Sequence, residues 1–239
     1  MARKSAPILG VLVGPSGGGK TELQKLLAAA GVGKRLITCT TRARRPDEID
    51  GVDYHFLTRD DFDIKKDAGS FLEWALVHGH LYGTPKDAVL QTLSGGETVI
   101  LAIDIQGLRQ VQQIQSPLIE RSLSSFFIYA SIGTIRQRIA LRAFLANKPI
   151  EVAELDLRLS TANDELLCRS ECDRVIDNDR DGNEHLKLAY ESLLAGIRLR
   201  QQCVAHESWR RWLGQPWLAR GATPTSAPAS EAVTTPTPA

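Results

Sequence analysis

Eight residues near the start of the chain, Gly14-Pro15-Ser16-Gly17-Gly18-Gly19-Lys20-Thr21, carry a chemistry in their spacing. They fit G-x-x-x-x-G-K-[ST], in which backbone N–H groups around Gly14, Ser16, Gly17, Gly18 and Gly19 wrap the phosphates of a nucleotide. Lys20 would reach the β and γ oxygens, and Thr21 would hold Mg²⁺. The flanks suit the motif. Ile8, Leu9, Val11, Leu12 and Val13 form an apolar run of the kind that makes a buried parallel strand. Leu23, Leu26 and Leu27 recur at helical spacing behind the loop, so a helix N-terminus would add its partial positive charge to the phosphates.

A second group of candidate residues follows. Thr40-Thr41-Arg42, Arg45, Glu48 and Gly51-x-Asp53-Tyr54-x-Phe56 concentrate guanidinium groups, hydroxyls and a phenol within one short stretch. Arginine's planar fork suits bidentate capture of phosphate, and a tyrosine hydroxyl adds a donor. On residue types alone this is either a second anion pocket or a solvated charged loop. Arg138 and Arg142 lie four apart on an expected helix, a spacing that serves a phosphoryl group or merely water.

The elements that must position these groups alternate. Thr98 to Ile105 and Ser125 to Ala130 read as buried strands with a helix from Gly107 to Gln115 between them, and Asp173 to Ile176 as a last short strand. Alternation of strand and helix implies an α/β fold, a parallel sheet covered on both faces. Between the first helix and Thr98, Asp60 to Lys66 reads as a short helix, Phe71 to Val77 as a strand, Gly79 to Thr84 as a loop and Pro85 to Thr92 as a helix. Pro46-Asp47 and Asp50-Gly51 mark turns. Arg136 to Arg142 and Ile150 to Leu167 read as two helices around a loop at Asn147-Lys148-Pro149, and Leu186 to Cys203 as a long amphipathic helix. From about Gly214 the chain turns to Pro, Ala, Thr and Ser, a composition expected to stay disordered. Trp209, Trp212 and Trp217 are expected to close a core helix or a subunit contact.

Composition narrows the classes. At 239 residues and 43% hydrophobic the chain can bury a sizeable core. A net charge of +1 gives no global reason to expect nucleic acid or a membrane as partner, so any positive site is local. The cysteines, Cys39, Cys168, Cys172 and Cys203, lack zinc-type spacing and read as reduced thiols. No run is long enough to cross a bilayer, and the apolar stretch after the basic start is too short for a secretion signal; a cytoplasmic protein is expected.

With these residues in view, the sequence resembles the guanylate kinases from about residue 8 to about residue 204. The likeness rests on Gly14 to Thr21, Thr38 to Phe56, Phe71-Leu72-Glu73-Trp74, Val77-His78-Gly79, Tyr82-Gly83-Thr84, Ile103-Asp104-Ile105-Gln106-Gly107 and Val175-Ile176-Asp177-Asn178-Asp179. It implies a three-layer P-loop core with a small α+β insertion for GMP and a helical lid. The expected division is a core of residues 1–37, 93–135 and 161–213, an insertion at 38–92, a lid at 136–160 and a tail at 214–239. ATP, Mg²⁺ and GMP, with dGMP as a second acceptor, are the implied ligands; the oligomeric state is left open. Carried over by position, Arg42, Arg45, Tyr54 and Tyr82 would bind the GMP phosphate, and Thr38, Glu73, Thr84 and Asp104 would face guanine. Arg138, Arg142 and Arg158 would join Lys20 and Arg42 in neutralising the transferring phosphoryl group. Asn178 would either contact the adenine side or cap the next helix.

Several positions depart from the family pattern. Thr38 replaces serine but keeps the hydroxyl. Leu81 replaces the first of two tyrosines and is expected to remove a polar group near the GMP phosphate. Ala102 replaces the first carboxylate of Asp-Ile-Asp, leaving Asp104, and so removes a group that could orient Lys20 or water on Mg²⁺. Ala143 stands where glycine is customary, and the spacing from Arg142 to Arg158 is longer than usual. Two rival functions remain at this level: a phosphopeptide-binding module that has lost catalysis, and a related P-loop kinase for a phosphorylated sugar.

Overall fold

The computed structural model describes residues 6–46, 48–147, 150–179 and 183–205, with side chains at 183 and 184 left aside. The expectations for Asp47, Lys148, Pro149, the three C-terminal tryptophans and the tail fall outside these residues. Nine strands are described: β1 (Leu9–Val13), β2 (Lys34–Arg35), β3 (Thr38–Thr40), β4 (Tyr54–Phe56), β5 (Phe71–Val77), β6 (His80–Pro85), β7 (Val99–Ala102), β8 (Leu123–Tyr129) and β9 (Arg174–Asp177). The helices are α1 (Lys20–Ala29), α2 (Arg59–Asp67), α3 (Lys86–Ser94), α4 (Ile105–Gln112), α5 (Pro117–Ser122), α6 (Ile132–Leu145), α7 (Val152–Leu167) and α8 (Asn183–Ala205).

Five strands form an all-parallel sheet in the order β2-β7-β1-β8-β9. Its apolar runs show little polar alternation because both faces are covered. Leu9, Val11 and Val13 point with Val99, Leu101 and Phe127 towards Val89 and Leu93 of α3 and Leu108 and Val111 of α4. Ile8, Leu12, Ile100, Phe126 and Ile128 point the other way, onto Leu23 and Leu27 of α1 and Leu193 and Ile197 of α8. Each such burial contributes about 1.5–3 kcal/mol, so the two apolar layers hold the sheet in one register. Arg200 of α8 is fully buried and donates to the Arg121 and Leu123 carbonyls, tying the last helix to the α5–β8 corner.

The second sheet has the order β4-β3-β6-β5 and projects beside the first. Here the sequence reading needs correction: residues 80–85 are a strand, paired with both β3 and β5, and not a loop. Gly83 sits inside it because a Cβ there would lie 2.9 Å from a Phe71 ring carbon and 3.0 Å from Phe62. Those two rings stack at 4.5 Å and form the small core of the insertion with Cys39 and Leu81. Leu81 is thus a core residue. Strand alternation puts it on the face opposite Tyr82, so its apolar character takes nothing from the phosphate pocket.

α6 and α7 pack on each other through Ile135, Ile139, Leu159 and Ala162, with Ala130 just after β8 in the same cluster. Asn147, at φ 49°, lies in the left-handed region at the end of α6.

Candidate active site

The phosphate-loop residues, Asp104 and Asn178 all lie at the carboxyl ends of the parallel strands, where ligands bind in open α/β sheets. The loop between β1 and α1 is held from two sides. Gly19, at φ 96°, precedes the helix, and Asn178 after β9 donates from Nδ2 to the Gly18 carbonyl at 2.8 Å. Arg138 of α6 donates to the Gly17 and Gly18 carbonyls at 3.3 and 3.4 Å and to the Asn178 carbonyl at 2.9 Å. Asn178 is therefore a brace for the loop and caps no helix among the described residues. Its Oδ1, buried and without a hydrogen-bond partner among them, keeps an acceptor in reserve.

Lys20 donates from Nζ to the Gly14 carbonyl and, at 3.1 Å, to the Pro15 carbonyl. Burial lowers its pKa, opposed by Glu165 and Asp104, with Arg142 adding to the lowering. The ammonium is folded onto its own loop and surrounded by charges that a phosphate would meet.

Gly19 cannot carry a side chain here. A Cβ would run into Asn178 Nδ2, and the left-handed backbone strains any L residue. Gly19→Ala is expected to weaken ATP binding at least tenfold while GMP binding is kept. Gly31→Ala is the matched control, with φ 67° and open space around the new methyl. It is expected to cost only about 1–2 kcal/mol of stability. Titration calorimetry with each nucleotide and thermal melts of both variants check this; equal ATP affinities would contradict it.

The arginine loop is a built structure and not a solvated run. Glu48, 8% exposed, accepts from Arg42 Nη2 at 2.6 Å and from the Arg45 backbone N–H at 2.9 Å. Burial opposes the charge on both Arg42 and Glu48. Their hydrogen bond, together with the neighbouring charges and the Arg45 backbone bond to Glu48, outweighs it, raising the Arg42 pKa and lowering that of Glu48. The Arg42 guanidinium lies 5.6 Å from the Tyr54 ring centroid and 5.9 Å from that of Phe56. Tyr54 meets Tyr82 edge to face at 6.1 Å. The Tyr-x-Phe spacing places both rings on one face of β4, under the guanidinium. Arg45 is the exposed member, its side chain 52% accessible. Thr38 pairs with Tyr54 across β3 and β4 and so stands at the edge of this pocket.

Glu73 and Thr84 face each other across β5 and β6, with Thr84 donating to Glu73 Oε1 at 2.5 Å. The register shifts between Phe71 and Glu73, and this bulge sends three successive side chains to three places. Phe71 enters the insertion core, Leu72 the main core and Glu73 the cleft. Gly107 lets the start of α4 approach, since a Cβ there would strike Glu73 Oε2. Asp104 caps α4 through the Gly107 N–H at 2.8 Å. Burial raises both carboxyl groups, Glu73 to about 7. Gln110, unforeseen from sequence, fixes the strand by bonding both the N–H and the carbonyl of Trp74.

Arg142 lies on α6, one helical turn after Arg138. Its pKa is lowered by burial first and then by the positive charges of Arg45, Arg158 and Arg42, and its own charge acts on Lys20. Arg158 pairs with Glu154 at 2.5 Å, and its Nε is buried without a partner among the described residues. Arg138, one turn before Arg142, donates to the loop backbone at Gly17 and Gly18.

A phosphate loop at the end of a parallel strand, with an arginine loop beside the second sheet, defines a P-loop phosphotransferase fold. The chain belongs to the guanylate kinase family: the "Guanylate kinase" family model matches residues 6–192. It is 41% identical over 194 residues to a guanylate kinase of Nitrosococcus oceani, covering 80% of this chain and 91% of that one. It is 35% identical over 199 residues to a guanylate kinase of Bartonella quintana, covering 83% and 86%. The crystal structure of guanylate kinase from Anaplasma phagocytophilum superposes with a TM-score of 0.63 at 26% identity, over 83% of this chain and 88% of that one. The chain is accordingly a nucleoside monophosphate kinase by family. No helix among the described residues is long and apolar enough to cross a membrane.

Proposed function

We propose that this protein transfers the γ-phosphoryl group of ATP to GMP, giving ADP and GDP, with dGMP as an alternative acceptor. The observation that carries the reading is the pair of built anion sites: Lys20 on the loop that Asn178 and Arg138 brace, and Arg42 held by buried Glu48 beside the Tyr54 and Phe56 rings.

In this reading Arg42, Arg45, Tyr54 and Tyr82 hold the acceptor's phosphate. Thr38, Thr84, Glu73 and Asp104 read the base, because guanine presents N1–H and an exocyclic amine as donors to the two carboxylates. Adenine lacks that donor edge and would leave buried carboxylates unpaired. Gly14 to Thr21 and Asn178 hold ATP. The attacking phosphate oxygen is already anionic near neutral pH, so no general base is required. The residues supply alignment and neutralisation of charge, with Lys20, Arg142 and Arg158 around the moving phosphoryl group. Arg138 serves indirectly, by keeping Gly17 and Gly18 in place.

The donor chemistry fits Mg²⁺. Thr21 is an exposed hydroxyl at the start of α1, and the nearby side chains Asp104 and Glu165 are hard oxygen donors. Among the described residues no group of three or more His, Cys, Asp or Glu could hold a metal unaided, so such an ion would rely on phosphate oxygens. It would supply neutralisation of the phosphates' negative charge.

Ala102 favours one competing reading, a phosphopeptide-binding module with catalysis lost. A phosphorylated sugar is a third acceptor class, which would leave Glu73, Thr84 and Asp104 without a base to read. A steady-state comparison of GMP, dGMP, AMP and glucose 6-phosphate with ATP separates these. GMP is expected to exceed AMP by about 10³-fold or more in kcat/KM. No turnover of GMP, or preference for the sugar phosphate, would overturn the proposal.

A further inference from the structure

β5 is an outer strand of the second sheet, so on the side away from β6 its backbone N–H and carbonyl groups have no strand to pair with. At Trp74 a side chain takes that part. Gln110 of α4 accepts from the Trp74 N–H at 3.1 Å and donates to the Trp74 carbonyl at 2.6 Å. An amide suits the task because it carries a donor and an acceptor on one planar group. The clamp closes one residue after Glu73, just past the bulge that turns the Glu73 carboxyl inwards. Before Glu73, the buried Phe71 and Leu72 fix the chain; after it, Trp74 and Leu76 are exposed, and the backbone is held by β6 on one side and by the Gln110 amide on the other. A bulge is a place where pairing can slip, and a slip of one residue would exchange the faces of Leu72 and Glu73. α4 meets this pocket at steps of three residues. Asp104 caps its first turn through the Gly107 N–H at 2.8 Å, the absent side chain at Gly107 leaves room for the Glu73 carboxyl, and Gln110 holds the backbone of the residue after Glu73.

We propose that Gln110 is a positioning residue for base recognition: by clamping Trp74 to α4 it fixes Glu73 relative to Asp104, and so sets the preference for an acceptor base with guanine's donor edge over adenine. This inference rests on the reading of Glu73 and Asp104 given above and deepens it. Gln110 itself would touch neither base nor phosphate; it acts through the strand. Two carboxylates read two donors only if the spacing between them is held, and a hydrogen-bonded support is what holds it.

The test reads acceptor preference. Steady-state kinetics with GMP and with AMP are measured for the native full chain and for Gln110→Met, which keeps the length of the side chain and loses both hydrogen bonds. KM for GMP is expected to rise about 10-fold from the displaced carboxylate, with kcat at saturating GMP and KM for ATP within about threefold of native. KM for AMP is expected to stay as it is, so the kcat/KM preference for GMP falls about 10-fold as well. Gln112→Met is the matched control, the same change on the same helix at a side chain that reaches the Glu171 carbonyl at 3.5 Å and not β5. It is expected to keep the native preference. A merely structural role for Gln110 would lower the melting temperature and leave the ratio of the two acceptors unmoved. If Gln110→Met melts early, Gln110→Glu, which keeps the acceptor for the Trp74 N–H and forfeits the donor to the carbonyl, is expected to show a smaller loss of preference. Native preference in Gln110→Met, or in Gln110→Glu where the first variant does not fold, would overturn the proposal, and so would an equal loss in Gln112→Met. A native protein without preference for GMP over AMP would instead overturn the reading of the pocket.

Discussion

Lys20→Met is expected to lower kcat by about 10³-fold, the scale of losing one preorganised charge at a transition state, while leaving the melting temperature nearly unchanged. The structure separates these effects. The ammonium donates to the Gly14 and Pro15 carbonyls of its own loop. Methionine keeps the apolar stem, and Arg138 and Asn178 still brace Gly17 and Gly18. In the loaded enzyme the same amine would be the cation nearest the transferring group. Glu165 and Asp104 lose a neutralising neighbour in the variant, so both carboxyl groups should hold their protons to higher pH than before. A coupled assay beside a thermal melt checks the prediction. A variant turning over within threefold of native would remove Lys20 from the chemistry, whereas a large drop in melting temperature would mean that its loop contacts hold the fold.

The parallel sheet was legible because its rule is local. Apolar runs of β-branched residues between helical repeats can satisfy their backbone in few other ways, and β1, β7 and β8 fall within a few residues of the expected runs. β6 was not legible. Gly79 and Gly83 read as turn residues, but Gly83 is required by the two phenylalanine rings pressed on it, a cause lying 12 residues or more away in the chain. Leu81 went astray for a related reason: without the strand, its face could not be assigned. Among the site residues, those in one contiguous stretch, such as Arg42, Glu48 and Tyr54, gather as their spacing suggests. Arg138 lies on the helix face that meets the loop, and its donation to the Gly17 and Gly18 carbonyls was not legible from its spacing to Arg142. Gln110 left no signal, since a lone Gln on a helix is ordinary and only the packing of α4 against β5 gives it a partner.

The guanine pocket carries the other large expected effect. Burial pushes the Glu73 carboxyl up to about 7; the Thr84 hydrogen bond opposes this and the Asp104 charge adds to it. In the empty protein near neutral pH the group is about half protonated. Guanine's donor edge requires the carboxylate, so binding GMP must release that proton. Affinity should therefore fall as pH drops below 7, approaching tenfold per unit, and level off above it. Stability of the empty protein runs the opposite way. The folded state holds the proton more tightly than the unfolded chain, so this stabilisation is full below the ordinary value of 4.5 and is lost as pH rises through 7. Glu73→Gln removes the titration and turns an amide N–H₂ towards donors, which should weaken GMP binding about 10²-fold and narrow the preference for GMP over AMP. The phosphate of GMP also titrates near pH 6, but it does so equally in both proteins. The difference between their pH profiles, measured by calorimetry between about pH 6 and pH 8, isolates Glu73. Parallel profiles, or a Glu73→Gln variant that binds GMP as the native protein does, would take guanine out of this pocket.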